Sequence, residues 1–324
     1  MFFLFDVTSP AHYKLAQSIA EQSAVLIVNR QHALPLAPTA TRRFAGIGSD
    51  SGVHGVGSGS AGQGNQHSQH GDRVISLAEG ISKRLAEDAG GSTVSNRTVS
   101  WQQEADSCVG MACVMPVTQN DIDEAVALAS DADVADVEVG LVSGEGVDRR
   151  DLSLGNGGAD MQSKLVAAVA AANNFTVVVL RASGAVAPMT FLELPSVRAV
   201  ILQFLPGSQA GHALAAILFG DRNPSGKLPL SFPRGVGQTW VKNYPCDDRS
   251  SNCSMCGRTG CHPGHCVGAT CASPCTCDIT FEEGLNIGYR WFDSANESPL
   301  FEFGFGCKFR KVLFFWCPAS FPCT

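Results

Sequence analysis

The run Ser143-Gly144-Glu145-Gly146-Val147-Asp148-Arg149-Arg150-Asp151-Leu152-Ser153-Leu154 sets one carboxylate between two glycines, directly after an apolar, strand-like stretch that ends at Gly140. Glycine lets the backbone bend where other residues cannot, and the carboxyl end of a sheet strand is where open α/β sheets present ligands. A carboxyl group held there can do chemistry on a bound molecule, so Glu145 is the first candidate. The competing reading is a solvated loop acid whose neighbouring glycines only turn the chain.

Other candidate motifs carry less. The glycine-rich run that begins Gly46-Ile47-Gly48-Ser49-Asp50-Ser51-Gly52 follows a strand but holds no Gly-Lys-Ser/Thr, opens no helix directly, and misplaces the third glycine of a dinucleotide fingerprint, which argues against a nucleotide cofactor. His54, His67 and His70 share that loop without a carboxylate partner. Ser183, Ser208 and Ser225 lie near glycines but in no Gly-x-Ser-x-Gly elbow, so a serine hydrolase is not supported. Asp221 to Pro229 is a turn on any reading.

Of 13 cysteines, eight fall between Cys246 and Cys277, two at Cys108 and Cys113, and three in the last stretch from Cys307. Cys253-x-x-Cys256 with Cys261, His262, His265 and Cys266 has passable zinc spacing. The same segment also reads as a disulfide-stapled excursion or as sequence foreign to the domain, so no metal is assigned. Asn96, Asn174, Asn252 and Asn296 each begin an Asn-x-Ser/Thr tripeptide, which agrees with an oxidising, secreted setting.

The elements that must position Glu145 belong to a chain of 324 residues, 44% of them hydrophobic, enough for a sizeable core. Its net charge of −7, with basic residues scattered, speaks against nucleic acid or an anionic membrane as a partner. No apolar stretch reaches the roughly 20 residues of a membrane span, and Met1-Phe2-Phe3-Leu4-Phe5 lacks the length and basic flank of a signal peptide. Ser9-Pro10 starts a helix to about Ser23; Ser76-x-x-Glu79 is a capping box for a second, to about Ala89; Thr118 caps a third. Strands are expected at Val25–Asn29, Phe44–Gly48, Val134–Leu141, Thr176–Leu180 and Val197–Phe204, with helices at about Ala159–Ala172 and Ser208–Phe219. Strands alternating with helices imply an α/β fold, a three-layer α/β/α sandwich around a mainly parallel sheet of about six strands.

One detail disturbs that pattern. Asp136 and Glu138 stand two apart in the strand before the acid turn, so both point to one face of a strand expected to be buried on both. Two unpaired carboxylates there would cost several kcal/mol. Either the face is partly open, or basic residues reach it, or the segment has drifted.

Taken in order, His12–Leu36 (HYKLAQSIAEQSAVLIVNRQHALPL), Ala132–Leu154 (ADVADVEVGLVSGEGVDRRDLSL), Leu165–Leu180, Val197–Pro233 and Phe281–Gly306 resemble the C-terminal sandwich domain of glycoside hydrolase family 3, the family of β-glucosidases and β-xylosidases. The resemblance implies residues 1–10 as the remnant of an interdomain linker and 11–235 as the sandwich. It further implies 236–280 as a cysteine-rich insertion, 281–306 as a return segment, and 307–324 as a divergent tail. It implies Glu145 as the acid/base, Asp148 and Arg149 as an ion pair bracing its loop, and no cofactor. The nucleophile Asp would come from an N-terminal (β/α)8 barrel, and no matching segment stands in this sequence. Retaining glycosidases need two carboxyl groups about 5 to 5.5 Å apart. The chain alone is therefore expected to be inactive, a fragment of a secreted enzyme acting on terminal β-D-glucosyl residues. A β-xylosidase parent is the enzymatic alternative, and a standalone glycan-binding or partner-binding domain the non-catalytic one. Leu26-Ile27-Val28-Asn29, lacking the family's lysine, and the Asp136/Glu138 pair depart from the family pattern.

Overall fold

The computed structural model describes residues 9–37, 43–48, 75–87, 93–97, 117–141, 151–155, 159–238, 261–262, 265–266 and 283–309. Its elements in chain order are α1 (Pro10–Ser23), β1 (Val25–Asn29), β2 (Arg43–Ile47), α2 (Leu77–Glu87), β3 (Thr93–Arg97), α3 (Gln119–Ser130) and β4 (Val134–Gly140). There follow α4 (Met161–Ala172), β5 (Thr176–Arg181), β6 (Val197–Leu202), α5 (Ala210–Leu218), a short pair β7 (Cys261–His262) and β8 (His265–Cys266), and α6 (Tyr289–Ala295).

Local chemistry sets most helix starts. Pro10 occupies the first helical turn of α1, and Ser9 accepts a hydrogen bond from the His12 backbone N–H at 3.3 Å. Ser76 and Glu79 exchange the reciprocal bonds of a capping box at the start of α2, as Thr118 and Asp121 do for α3. Asp160 caps α4 through the Ser163 N–H at 2.9 Å. The strand β3 and the helix α6 were not anticipated. The polar Thr-Val-Ser-Asn-Arg of β3 has no apolar run, and its strand state comes from pairing with β2.

Six strands form one sheet in the order β1-β6-β5-β4-β2-β3; every pairing is parallel except that of β1 with β6. One face carries α3 and α4, with Ile122, Ala125, Leu165, Val166 and Val169 against Val137, Val139, Val178 and Leu180. The other carries α2 and α5, with Leu77, Ile81, Leu85, Leu214 and Leu218 against Phe44, Val177, Val179 and Ile201. Because β5 is covered on both faces, all six of its residues are buried and its sequence Thr-Val-Val-Val-Leu-Arg does not alternate. This is the expected α/β/α sandwich. The return segment joins it at the β1 edge, where the Cys307 N–H donates to the Leu26 carbonyl and Phe232 pairs with Phe301.

Helices α2 and α5 meet backbone to backbone. A Cβ on Gly211 would stand 1.9 Å from the Ser76 carbonyl oxygen, and one on Gly80 2.1 Å from that of Gly211, so neither position admits a side chain. The contact is tied by the Gly211 N–H to the Ile75 carbonyl at 2.9 Å and the Ile75 N–H to the Ser208 carbonyl at 2.8 Å.

The acid pair in β4 sits on the α2/α5 face, and that face is closed: Asp136 is 0% and Glu138 3% exposed. A basic residue does reach it. Arg181, at the end of β5 and itself buried, meets Glu138 at 3.0 Å. With Glu138 opposite Val179 in the parallel register, the two long side chains join along the diagonal between neighbouring strands. Asp136 has no such partner: among the described residues, neither of its carboxylate oxygens accepts a hydrogen bond. Burial, and then the charge of Glu138, push its carboxyl well above the usual range, with Arg181 opposing.

Two predictions follow from this polar row. An acid whose native pKa is raised keeps its proton where the unfolded chain, with a pKa of ~3.9, has released it. Stability therefore falls as pH rises above that value, by up to about 1.4 kcal/mol per pH unit, until the native pKa is passed. Asp136→Asn is expected to raise stability at neutral pH and to flatten this fall, as urea unfolding across a pH series would show; a variant less stable than the parent at neutral pH would contradict it. Arg181→Met is expected to cost about 3–5 kcal/mol by stranding Glu138, and the double change with Glu138→Val to recover most of that loss.

Candidate active site

Parallel strands β2, β4, β5 and β6 end on the same edge of the sheet, and the acid turn leaves from the middle of it, after Gly140. Glu145, Asp148 and Arg149 lie outside the described residues, as do the glycine-rich loop beyond Gly48 and most of the cysteine-rich segment. The two stems of the acid turn are described, and they converge.

Gln162, in the first turn of α4 and 9% exposed, holds both. Its Oε1 accepts from the Gly140 N–H at 2.9 Å, and its Nε2 donates to the Gly140 carbonyl at 2.9 Å and to the Leu154 carbonyl at 3.0 Å. One carboxamide thus satisfies three backbone groups that would otherwise be left without partners where the strand stops. The outgoing stem is tied again by the Leu141 N–H to the Arg181 carbonyl at 2.9 Å. The returning stem is fixed by the Ala187 N–H on the Leu152 carbonyl at 2.8 Å. Leu154 then buries its side chain in the α3/α4-side core. Within the returning stem, Asp151 Oδ1 accepts from the Ser153 N–H at 2.8 Å and from the Ser153 hydroxyl at 2.7 Å.

Below the stems, on the α2/α5 face, four positions run across the strand ends: Gly48, Glu138, Arg181 and Gln203. Gly48, at φ +128°, leaves no room for a side chain, since its Cβ would lie 2.4 Å from the Glu138 carbonyl oxygen. Gln203 is 1% exposed, and among the described residues neither side-chain amide atom has a hydrogen-bond partner. The Glu138–Arg181 pair is buried and joins β4 to β5 near the strand ends. Among the described residues no group of His, Cys, Asp or Glu is arranged to hold a metal ion.

Sequence reasoning located the acid turn and the odd β4 carboxylates but missed Arg181, Gln162 and Gln203. Arg181 was discoverable: an Arg closing an apolar strand beside a strand with two carboxylates is a pairing signal. Gln162 carried none, because a single Gln early in a helix resembles any solvated polar residue.

A hollow of about 440 Å³ lies between α6 and the segment that follows it. Tyr289, Phe292, Asp293, Asn296, Glu302 and Phe303 are among its lining.

Comparison with known proteins agrees with this geometry. The chain is 33% identical over 320 residues to "Probable beta-glucosidase L" of Aspergillus terreus, covering 95% of this chain and 37% of that protein. It is 30% identical over 303 residues to "Probable beta-glucosidase E" of Neosartorya fischeri, covering 92% and 26%. The crystal structure of DesR, a β-glucosidase from Streptomyces venezuelae in complex with D-glucose, superposes with a TM-score of 0.68 at 26% identity, over 94% of this chain and 47% of that one. The chain thus spans between about a quarter and a half of the length of these relatives. Residues 24–307 match the glycosyl hydrolase family 3 C-terminal domain, and the chain belongs to that family.

Proposed function

We propose that this chain is the acid/base-bearing domain of a retaining β-glucosidase, with Glu145 as the proton donor and acceptor. In the first half-reaction Glu145 gives its proton to the departing glycosidic oxygen while an Asp on the N-terminal barrel attacks the anomeric carbon. In the second it takes a proton from water, which displaces that Asp. The barrel, in cis or in trans, supplies the nucleophile and the rest of the sugar's surroundings. Asp148 and Arg149 brace the turn. The substrate is a terminal non-reducing β-D-glucosyl residue, and the parent protein is extracellular. A disulfide at Cys307 suits that compartment.

The observation that carries this reading is the Gln162 carboxamide, which pins the departing and returning strands of the Ser-Gly-Glu-Gly turn to one point at the carboxyl edge of the sheet. A proton donor must be held to within a fraction of an ångström, and a loop clasped at both ends meets that demand where a loose one does not.

The test uses a chromogenic aryl β-D-glucoside. The pure chain is expected to release no chromophore, and joining it to a family barrel to give turnover. Glu145→Gln should then lower turnover by roughly 10²–10⁴-fold. Release by the chain alone, abolished by Glu145→Gln, would overturn the division of labour. In the joined protein Gln162→Leu is expected to cost about 10²-fold in kcat with KM little changed, because the turn is misplaced and the sugar contacts are not. An unchanged kcat would remove the clasp from the mechanism.

A further inference from the structure

The hollow beside α6 has a composition that the active-site reading leaves unused. Tyr289 and Phe303 stand with ring centroids 5.3 Å apart at 41°, both about half exposed, at 49% and 53%. Phe292, buried, lies beneath, and Asp293, Glu297 and Glu302 supply carboxylate acceptors around the rim. Half-exposed aromatic faces beside carboxylates suit a pyranose, whose C–H face stacks on a ring while its hydroxyls donate outward.

The same rim carries Asn296, first residue of Asn296-Glu297-Ser298. It terminates α6 in the left-handed conformation, φ 52° and ψ 39°, with its backbone N–H turned back onto the Asp293 and Phe292 carbonyls. Its side chain is exposed, and among the described residues its carboxamide has no hydrogen-bond partner. Ser298, two residues on, is exposed too; its carbonyl accepts from Arg234 Nε and Gln238 Nε2, each at 3.2 Å, which holds the tripeptide open on the surface. The other acceptor tripeptide with described side chains differs. Asn174 is exposed, but Thr176 is 0% exposed inside β5 and its hydroxyl is spent on the Asn173 carbonyl at 3.1 Å.

We infer that Asn296 is an N-glycosylation site and that the first N-acetylhexosamine of its glycan lies in the hollow against Tyr289 and Phe303. The inference rests on the proposed extracellular route of the parent and not on the glycosidase chemistry. The donor is a polyprenyl-diphosphate-linked oligosaccharide. The Asn296 Nδ2 forms a bond to the anomeric carbon, the bond from that carbon to the diphosphate oxygen breaks, one amide proton is released, and the lipid diphosphate departs. Asn174 stays unmodified because its hydroxyl partner is folded into the sheet.

The experiment is secretion of the chain from a glycosylating yeast, followed by amidase release of glycans in heavy-oxygen water and peptide mass mapping. The peptide with Asn296 is expected to carry the label and that with Asn174 not to. Asn296→Gln and Ser298→Ala should each remove one glycan, the second with the asparagine intact. An unlabelled Asn296 overturns the site; label on the other asparagines at the same time leaves the secreted reading standing, so the two failures are distinguishable. For the packing of the first sugar, an endoglycosidase that leaves one N-acetylhexosamine should preserve the thermal midpoint, while the amidase should lower it. That difference should vanish in Tyr289→Ala, and equal midpoints in the parent would overturn the placement in the hollow.

Discussion

Parallel pairing is the constraint from which the rest of this structure follows. Parallel neighbours cannot be joined by a tight turn, so each strand must be returned across the sheet by a crossover, most often a helix. That requirement places α3 and α4 on one face and α2 and α5 on the other, and leaves β5 dry on both sides. It also sends the carboxyl ends of β2, β4, β5 and β6 to one edge, where loops can be long and a ligand can be met. The fold supplies one place to put an acid, and the Ser-Gly-Glu-Gly turn departs from it.

Two polar devices tie the strand ends from which the acid turn leaves, at different depths. At the end of β4 the buried Gln162 carboxamide collects Gly140 and Leu154 onto a single side chain. Beneath it Glu138, two residues before the end of β4, and Arg181, the last residue of β5, join the two strands through a buried ion pair. A buried pair adds little net stability, since desolvation offsets attraction, but it tolerates only one register between its strands. Asp136 is the counterweight: a carboxyl in the same dry row, with no hydrogen-bond partner among the described residues, its pKa raised by burial and by the charge of Glu138. The strand that leads into the acid turn thus carries two buried carboxylates, one of them paired to the next strand.

The carboxyl edge of the sheet and the hollow beside α6 differ in kind. The carboxyl edge is built by the sheet and shared by several strands, so its chemistry depends on how distant segments converge. The one beside α6 is built almost within a single stretch, from Ser231 and residues between Tyr289 and Phe303. A short helix closed by a left-handed asparagine and followed by a return to Phe301 is enough to form it.

The sequence by itself determined the layers, most of the strands and the location of the acid turn. Each is written in local terms: apolar runs ended by turn residues, Ser76/Glu79 and Thr118/Asp121 capping boxes, Pro10 after Ser9. It also revealed that β4 carries carboxylates where a dry strand should not, and the family resemblance implied Glu145 as the acid/base candidate. Only the tertiary structure decided how that problem is resolved, because Arg181 is distant along the chain from Glu138 and reaches it through strand register, which no local pattern encodes. The Gln162 clasp was hidden for the same reason: a polar residue early in a helix becomes a positioning group only when Gly140 and Leu154 are folded within its reach. β3 was likewise decided by its neighbour, since a polar pentapeptide becomes a strand when β2 offers its free edge.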